Sequence, residues 1–241
     1  MPKAWISYDP FYPMSRRGGA SFLRPLFLSW NKVLSEATRR LTRYKPPDLP
    51  YKYGEASHVG WLALAAYKES WLPLQEPSVR RKGTRPKNKQ PNNSERTDLR
   101  LFTKRGRKGP ILVFEAKDHH FELSSAKGAK KFADRIMFRD KLKEAAVQVK
   151  GIGNSSQKEK RVGLVFVRIY WQRNRKEKTL CPLLDTFLHE TICETGLKRL
   201  EADFLALYLA DKSSIRKALK SHESNSESVC IGVAVLGKVV V

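Results

Sequence analysis

Residues 94–120 read SERTDLRLFTKRGRKGPILVFEAKDHH. Asp98 opens one apolar run, a basic turn built on Gly106-Arg107-Lys108-Gly109-Pro110 follows, and a second run, Ile111-Leu112-Val113-Phe114, delivers Glu115-Ala116-Lys117. Short runs of β-branched and aromatic residues split by a Gly/Pro turn predict a β-hairpin. Side chains alternate faces along a strand, so Glu115 and Lys117 share one face and Ala116 points away. With Asp98 across the hairpin, two carboxylates and an ammonium meet at one place. That donor set suits a hard divalent cation and a water held by the lysine. From the hairpin alone, a solvated strand face explains the same residues equally well.

At these residues the chain resembles the PD-(D/E)XK nuclease superfamily. The family pattern is an acidic residue, usually after a proline, then a strand ending in Asp/Glu-x-Lys. Glu115-Ala116-Lys117 matches the second half, whereas Asp98 follows Thr97 rather than a proline. The resemblance implies a Mg²⁺-dependent endonuclease that hydrolyses phosphodiester bonds of DNA, of a restriction or anti-phage defence type, with Mn²⁺ able to substitute. It assigns Asp98 and Glu115 as metal ligands and the backbone carbonyl of Ala116 as a third. Lys117 would position the water or stabilise charge; neighbouring carboxylates favour its charged form, so an electrostatic role suits it better than a basic one. In that family the helix before the first strand often carries an acidic residue facing the metal. Glu55 is the match, with Glu69 as the weaker one, and the alternative for Glu55 is a simple preference for the positive end of the helix dipole. Gln148, on the helix after the motif, is the positional match for an auxiliary polar residue.

Charge points to the partner. The 241 residues hold 47 Lys+Arg against 24 Asp+Glu, a formal net charge of +23. Such an excess repels itself and predicts a polyanionic partner: DNA, with RNA open, ahead of an anionic membrane surface. No apolar run approaches the roughly 20 residues that span a bilayer. The N-terminal residues lack the pattern of a signal peptide. Cys181, Cys193 and Cys230 form no CxxC pair, which predicts buried thiols in a reduced, cytoplasmic setting. A homodimer or a helper protein remains open.

The order of predicted elements extends the resemblance. Residues 1–20 read as an irregular aromatic arm and residues 21–43 as a helix capped by Ser21, so that 1–50 form an extension packed on a nuclease-like body of 51–241. Residues 53–71 predict a helix, and 72–79 a strand that Pro73 and Pro77 make either an edge strand or a bulged one. Residues 80–93, RRKGTRPKNKQPNN, hold no apolar side chain and predict a loop. Arg80, Arg81, Lys82, Arg85, Lys87 and Lys89 suit a clamp on a nucleic-acid backbone, joined at the hairpin tip by Lys104, Arg105, Arg107 and Lys108; the bland alternative is a charged surface insertion. His119 and His120 point to opposite faces of a strand and cannot both reach one ion. Residues 129–149 predict a helix, on which Lys141 or Lys143 could contact phosphate or merely face solvent. Residues 161–171 form a continuous apolar run that predicts a strand buried on both faces. Helix, three strands, helix, strand over about 53–171 is the αβββαβ order of the resembled restriction-endonuclease-like core. The expected fold is therefore α/β, a mixed central sheet flanked by helices. Beyond it, a helix over 183–200, a strand over 204–209, a short helix over 213–220 and a strand over 229–241 broken at Gly237-Lys238 would extend the sheet. His189, beside the apolar stripe of 183–200, reads as a packing residue. The chief rival is a non-catalytic basic nucleic-acid-binding protein.

Overall fold

The computed structural model describes residues 9–14, 20–44, 49–75, 78–79, 95–96, 98–103, 110–123, 136–152, 159–172, 180–192, 194–221 and 228–240. In chain order the strands are β1 (Phe11–Pro13), β2 (Leu72–Gln75), β3 (Ser78–Val79), β4 (Glu95–Arg96), β5 (Leu99–Phe102), β6 (Ile111–Glu122), β7 (Glu159–Gln172), β8 (Phe204–Leu209) and β9 (Ser228–Val240). The helices are α1 (Arg24–Leu41), α2 (Glu55–Lys68), α3 (Ile136–Gly151), α4 (Leu180–Ile192), α5 (Glu194–Arg199) and α6 (Lys212–Ser221). Seven strands form one sheet in the order β1-β8-β9-β7-β6-β5-β2, and β3 and β4 pair separately. β6 and β7 run parallel over their length; every other neighbouring pair is antiparallel. Parallel neighbours need a crossover, and α3 supplies it. The fold is thus α/β with a mixed sheet.

The hairpin forms as its sequence predicts: Leu99 pairs with Phe114 and Phe102 with Ile111. β7 is buried without interruption over residues 162–167, as expected for a run with no polar alternation. A glycine lets one helix approach the sheet closely. A Cβ on Gly163 would stand 2.6 Å from the backbone nitrogen of Ala146, so α3 lies directly on β7 there. His58 of α2 stacks on Phe166 with ring centroids 4.9 Å apart. Residues 163 and 166 project to opposite faces of a strand, so α2 and α3 cover opposite faces of the sheet.

Several local expectations differ from the structure. Ser21 caps nothing: it lies in a short 3-10 turn, Ser21–Leu23, and α1 starts at Arg24 with Pro25 in its first turn, where the missing N–H costs no helix bond. Residues 72–79 hold two short strands, not one; β2, with Pro73, sits at the sheet edge as a proline requires. The stretch 183–200 divides into α4 and α5. β9 continues through Gly237-Lys238 without a break, because the bare Cα of Gly237 leaves room for the Phe204 ring. His189 is exposed rather than packed. Phe11, Phe27, Trp30 and Phe204 join one core, which ties β1 and α1 to the sheet. Cys230 is a buried free thiol whose pKa burial pushes up to about 12. Among the described residues no helix is long and apolar enough to cross a membrane.

Candidate active site

β5 stops where β6 continues. Leu99 pairs with Phe114, the last rung between the two strands, and β6 then runs on to Glu122 beside β7. Asp98 stands at this fork, immediately before β5. Its Oδ2 accepts the backbone N–H of Ala116 at 2.5 Å. The hydrogen bond fixes Asp98 between Glu115 and Lys117 along β6. Lys117 Nζ lies 3.6 Å from Glu115 Oε1, and the Glu115 side chain is only 8% exposed. A charge so enclosed is tolerable only with a cationic or hydrogen-bonding neighbour, which Lys117 provides.

Helix α2 brings the third carboxylate. Glu55 is its first residue and is half-buried. Burial raises its pKa, and the negative charges of Asp98 and Asp118 raise it further, while Lys117 and Lys141 oppose. Four elements therefore meet electrostatically at the fork: α2, the start of β5, β6 and α3. Of the positions read from sequence, Asp98, Glu115 and Lys117 come together here, and Glu55 feels the charges of Asp98 and Lys117. Gln148 is placed by packing. Glu115 is in register with Gly163, Ala145 and Ala146 lie against Gly163, and Val149 packs on Val113. Lys141, Ala145 and Gln148 share one stripe of α3, and the Gln148 Oε1 is buried without a hydrogen-bond partner among the described residues. Glu69 lies at the far end of α2, beyond its last residue.

The sequence reading missed a half-buried cluster behind the fork, with His58 fully enclosed. Asp118 Oδ2 accepts from Arg168 at 2.6 Å, and Arg168 also donates to the Lys52 carbonyl and the Tyr170 hydroxyl. His58 Nε2 lies 3.8 Å from Asp118 Oδ1. The pKa of Asp118 is raised by burial, against the pull of Arg168. Alternation along β6 was the available signal: it turns Asp118 to the face opposite Glu115, toward α2. His119 lies edge-on to Phe138 and His120 is exposed, so neither joins the fork as a pair. Arg80, Arg81, Lys82, Arg85, Lys87, Lys89, Lys104, Arg105, Arg107 and Lys108 lie outside the described residues.

The donor set at the fork is hard: carboxylate oxygens of Asp98 and Glu115 and the carbonyl of Ala116, suited to Mg²⁺ or Mn²⁺. Among the described residues no three His, Cys, Asp or Glu side chains stand close enough together to hold a metal, so an ion here would rest on two carboxylates and backbone. No family model matches the chain, and no curated protein or solved structure matches it.

Glu55 gives a pH test of the fork. An acid whose folded pKa is raised binds its proton more tightly when folded. Its contribution is favourable at low pH and is lost as pH rises from the ordinary value of 4.5 through the raised one. Glu55→Gln is therefore expected to stabilise the protein at pH 7.5, by about 1 kcal/mol or less given solvent screening, and to leave stability near pH 3.5 unchanged. Urea titrations at the two pH values measure this.

Proposed function

We propose that the chain is a metal-dependent endonuclease that hydrolyses phosphodiester bonds of DNA, built on a restriction-endonuclease-like core. The observation that carries the reading is the juxtaposition of Asp98, Glu115 and Lys117 at the fork between β5 and β6. The order α2, β2, β5, β6, α3, β7, with β6 and β7 parallel, fits the αβββαβ core of the PD-(D/E)XK nucleases, and the net charge of +23 fits a polyanionic substrate. Asp98 and Glu115 would hold the cation, which when bound supplies Lewis-acid stabilisation and a more acidic water. The chain's own groups do the rest. Lys117, 3.6 Å from Glu115, offers a donor to the attacking water or to the developing charge. Glu55, with its raised pKa, accepts a proton from a water on the α2 side of the fork. Gln148 offers an amide to the same space.

A second reading, a non-catalytic basic nucleic-acid-binding protein, is favoured by one observation: the described residues lack a group of three metal-binding side chains. Incubating supercoiled plasmid with purified protein, with Mg²⁺, Mn²⁺ or EDTA, separates the two. The nuclease reading expects nicked and linear products with either cation and none with EDTA. Intact plasmid under every metal condition, with a stable protein–DNA complex, hands the assignment to the binding protein.

A further inference from the structure

Helix α3 has a second working flank. Arg139, Lys143, Ala146 and Lys150 recur at steps of four and three and so share one stripe, turned away from the Lys141–Gln148 stripe at the fork. This stripe and the end of β9 enclose an open cavity of about 270 Å³, to which Lys238 and Glu201 also contribute. Four cations thus face one carboxylate. That carboxylate is already engaged: Glu201 Oε1 lies 3.8 Å from Arg139 Nε, and the Glu201 backbone carbonyl accepts from Lys238 Nζ at 2.9 Å. Lys143 and Lys150 are exposed and have no acidic partner among the described residues. Lys141, by contrast, is paired with Glu144 at 3.1 Å. Like charges along one helix stripe repel, and an anion seated between them would relieve that repulsion.

We propose that this cavity binds backbone phosphate of the nucleic acid whose cleavage was assigned to the fork, holding the strand after it crosses α3. The proposal rests on that reading and extends it. Its chemistry is specific in one respect. The floor, Leu142, Ala146 and Val239, has no side-chain donor or acceptor with which to read base edges, so the contact is to phosphate and sugar and is independent of sequence. The volume lies just below the usual range of about 300–1,000 Å³ for small-molecule pockets, which suits a phosphate and its sugar. One helix separates the two sites, a width of about 10 Å, so a single strand lying across α3 can occupy both.

The test is equilibrium binding of a 30-base-pair DNA duplex, followed by fluorescence anisotropy in EDTA across a salt series. Lys143→Gln/Lys150→Gln is expected to bind about tenfold more weakly near 0.15 M salt, with the slope of log K against log salt shallower by roughly two. Lys32→Gln/Lys217→Gln removes the same charge from exposed sites on α1 and α6 and is expected to change affinity less than twofold. Circular dichroism checks that each variant is folded. If the parent binds and the α3 variant keeps its affinity and slope, or the control loses as much, the α3–β9 site is overturned and the nuclease assignment stands. If the parent binds no nucleic acid at any salt, the assignment at the fork falls, and this site with it.

Discussion

Asp98→Asn, Glu115→Gln and Lys117→Met are each expected to lose Mg²⁺-dependent plasmid cleavage by on the order of a hundred- to a thousandfold. That is the scale seen when one preorganised group is removed from a charged transition state. The choice of substitutions matters, because two of the positions also hold the fold. Asp98 accepts the Ala116 N–H, and asparagine keeps an acceptor there while removing the charge. Asp98→Ala should lose the same activity and, in addition, some stability, since it strands a backbone donor. Glu115 is nearly enclosed, and glutamine conserves its volume. Lys117→Met keeps the stem and deletes the ammonium, leaving both carboxylates in place. Isothermal titration with Mn²⁺ should therefore lose binding in the first two variants and keep it in the third. DNA binding in EDTA should survive in all three, and tighten where a carboxylate that repels phosphate is gone. Surface substitutions without a role shift stability by about half a kcal/mol and leave activity alone. Parental cleavage rates in Asp98→Asn and Lys117→Met would sink the active-site assignment.

The hairpin and the strand faces of the candidate site residues were legible because local rules act there without competition. Two apolar runs around a Gly/Pro turn leave one register, and period two then fixes which of Glu115, Ala116 and Lys117 share a face. The β7 run could hardly be anything but a covered strand. What escaped the sequence depended on contacts between distant residues. Gly237 looked like a breaker because glycine weakens strands locally, and only the Phe204 ring, brought in by the antiparallel β8, supplies its reason for being there. Ser21 carried a capping side chain but sat one short turn too early, with Pro25 setting the true start of α1. Asp118 was visible as a residue but not as a partner, since Arg168 meets it only through the parallel pairing of β6 with β7. His58 was hidden for the opposite reason: it belongs to an apolar helix face, and nothing in its neighbours along the chain marks it as a buried base.

That buried base sets an expected acid transition. Burial, then the positive charge of Arg168, lowers the pKa of His58 from 6.5 to about 3. A base whose folded pKa is depressed contributes stability that is present above its unfolded pKa and is lost as pH falls. In the unfolded chain the imidazole takes up a proton below pH 6.5, while in the folded protein it stays neutral until about pH 3. Between those limits the unfolded state gains about 1.4 kcal/mol for each pH unit of acidification. Among the described residues Asp118 is the carboxylate paired with the ring, at 3.8 Å. It gives little relief, because its own pKa is raised by burial and Arg168 already claims its Oδ2. Both ring nitrogens of His58 lack hydrogen-bond partners among the described residues, and the ring stacks on Phe166. Phenylalanine can fill the same space without stranding a bond. His58→Phe is thus expected to match or exceed the parent at pH 7.5, and to exceed it by about 3 kcal/mol at pH 4.5, where two pH units of linkage have accumulated. Urea unfolding at half-unit pH steps measures the gap directly. A parent and variant whose stabilities fall in parallel from pH 6.5 to 4 would place the acid sensitivity elsewhere and show that His58 is protonated in the folded protein.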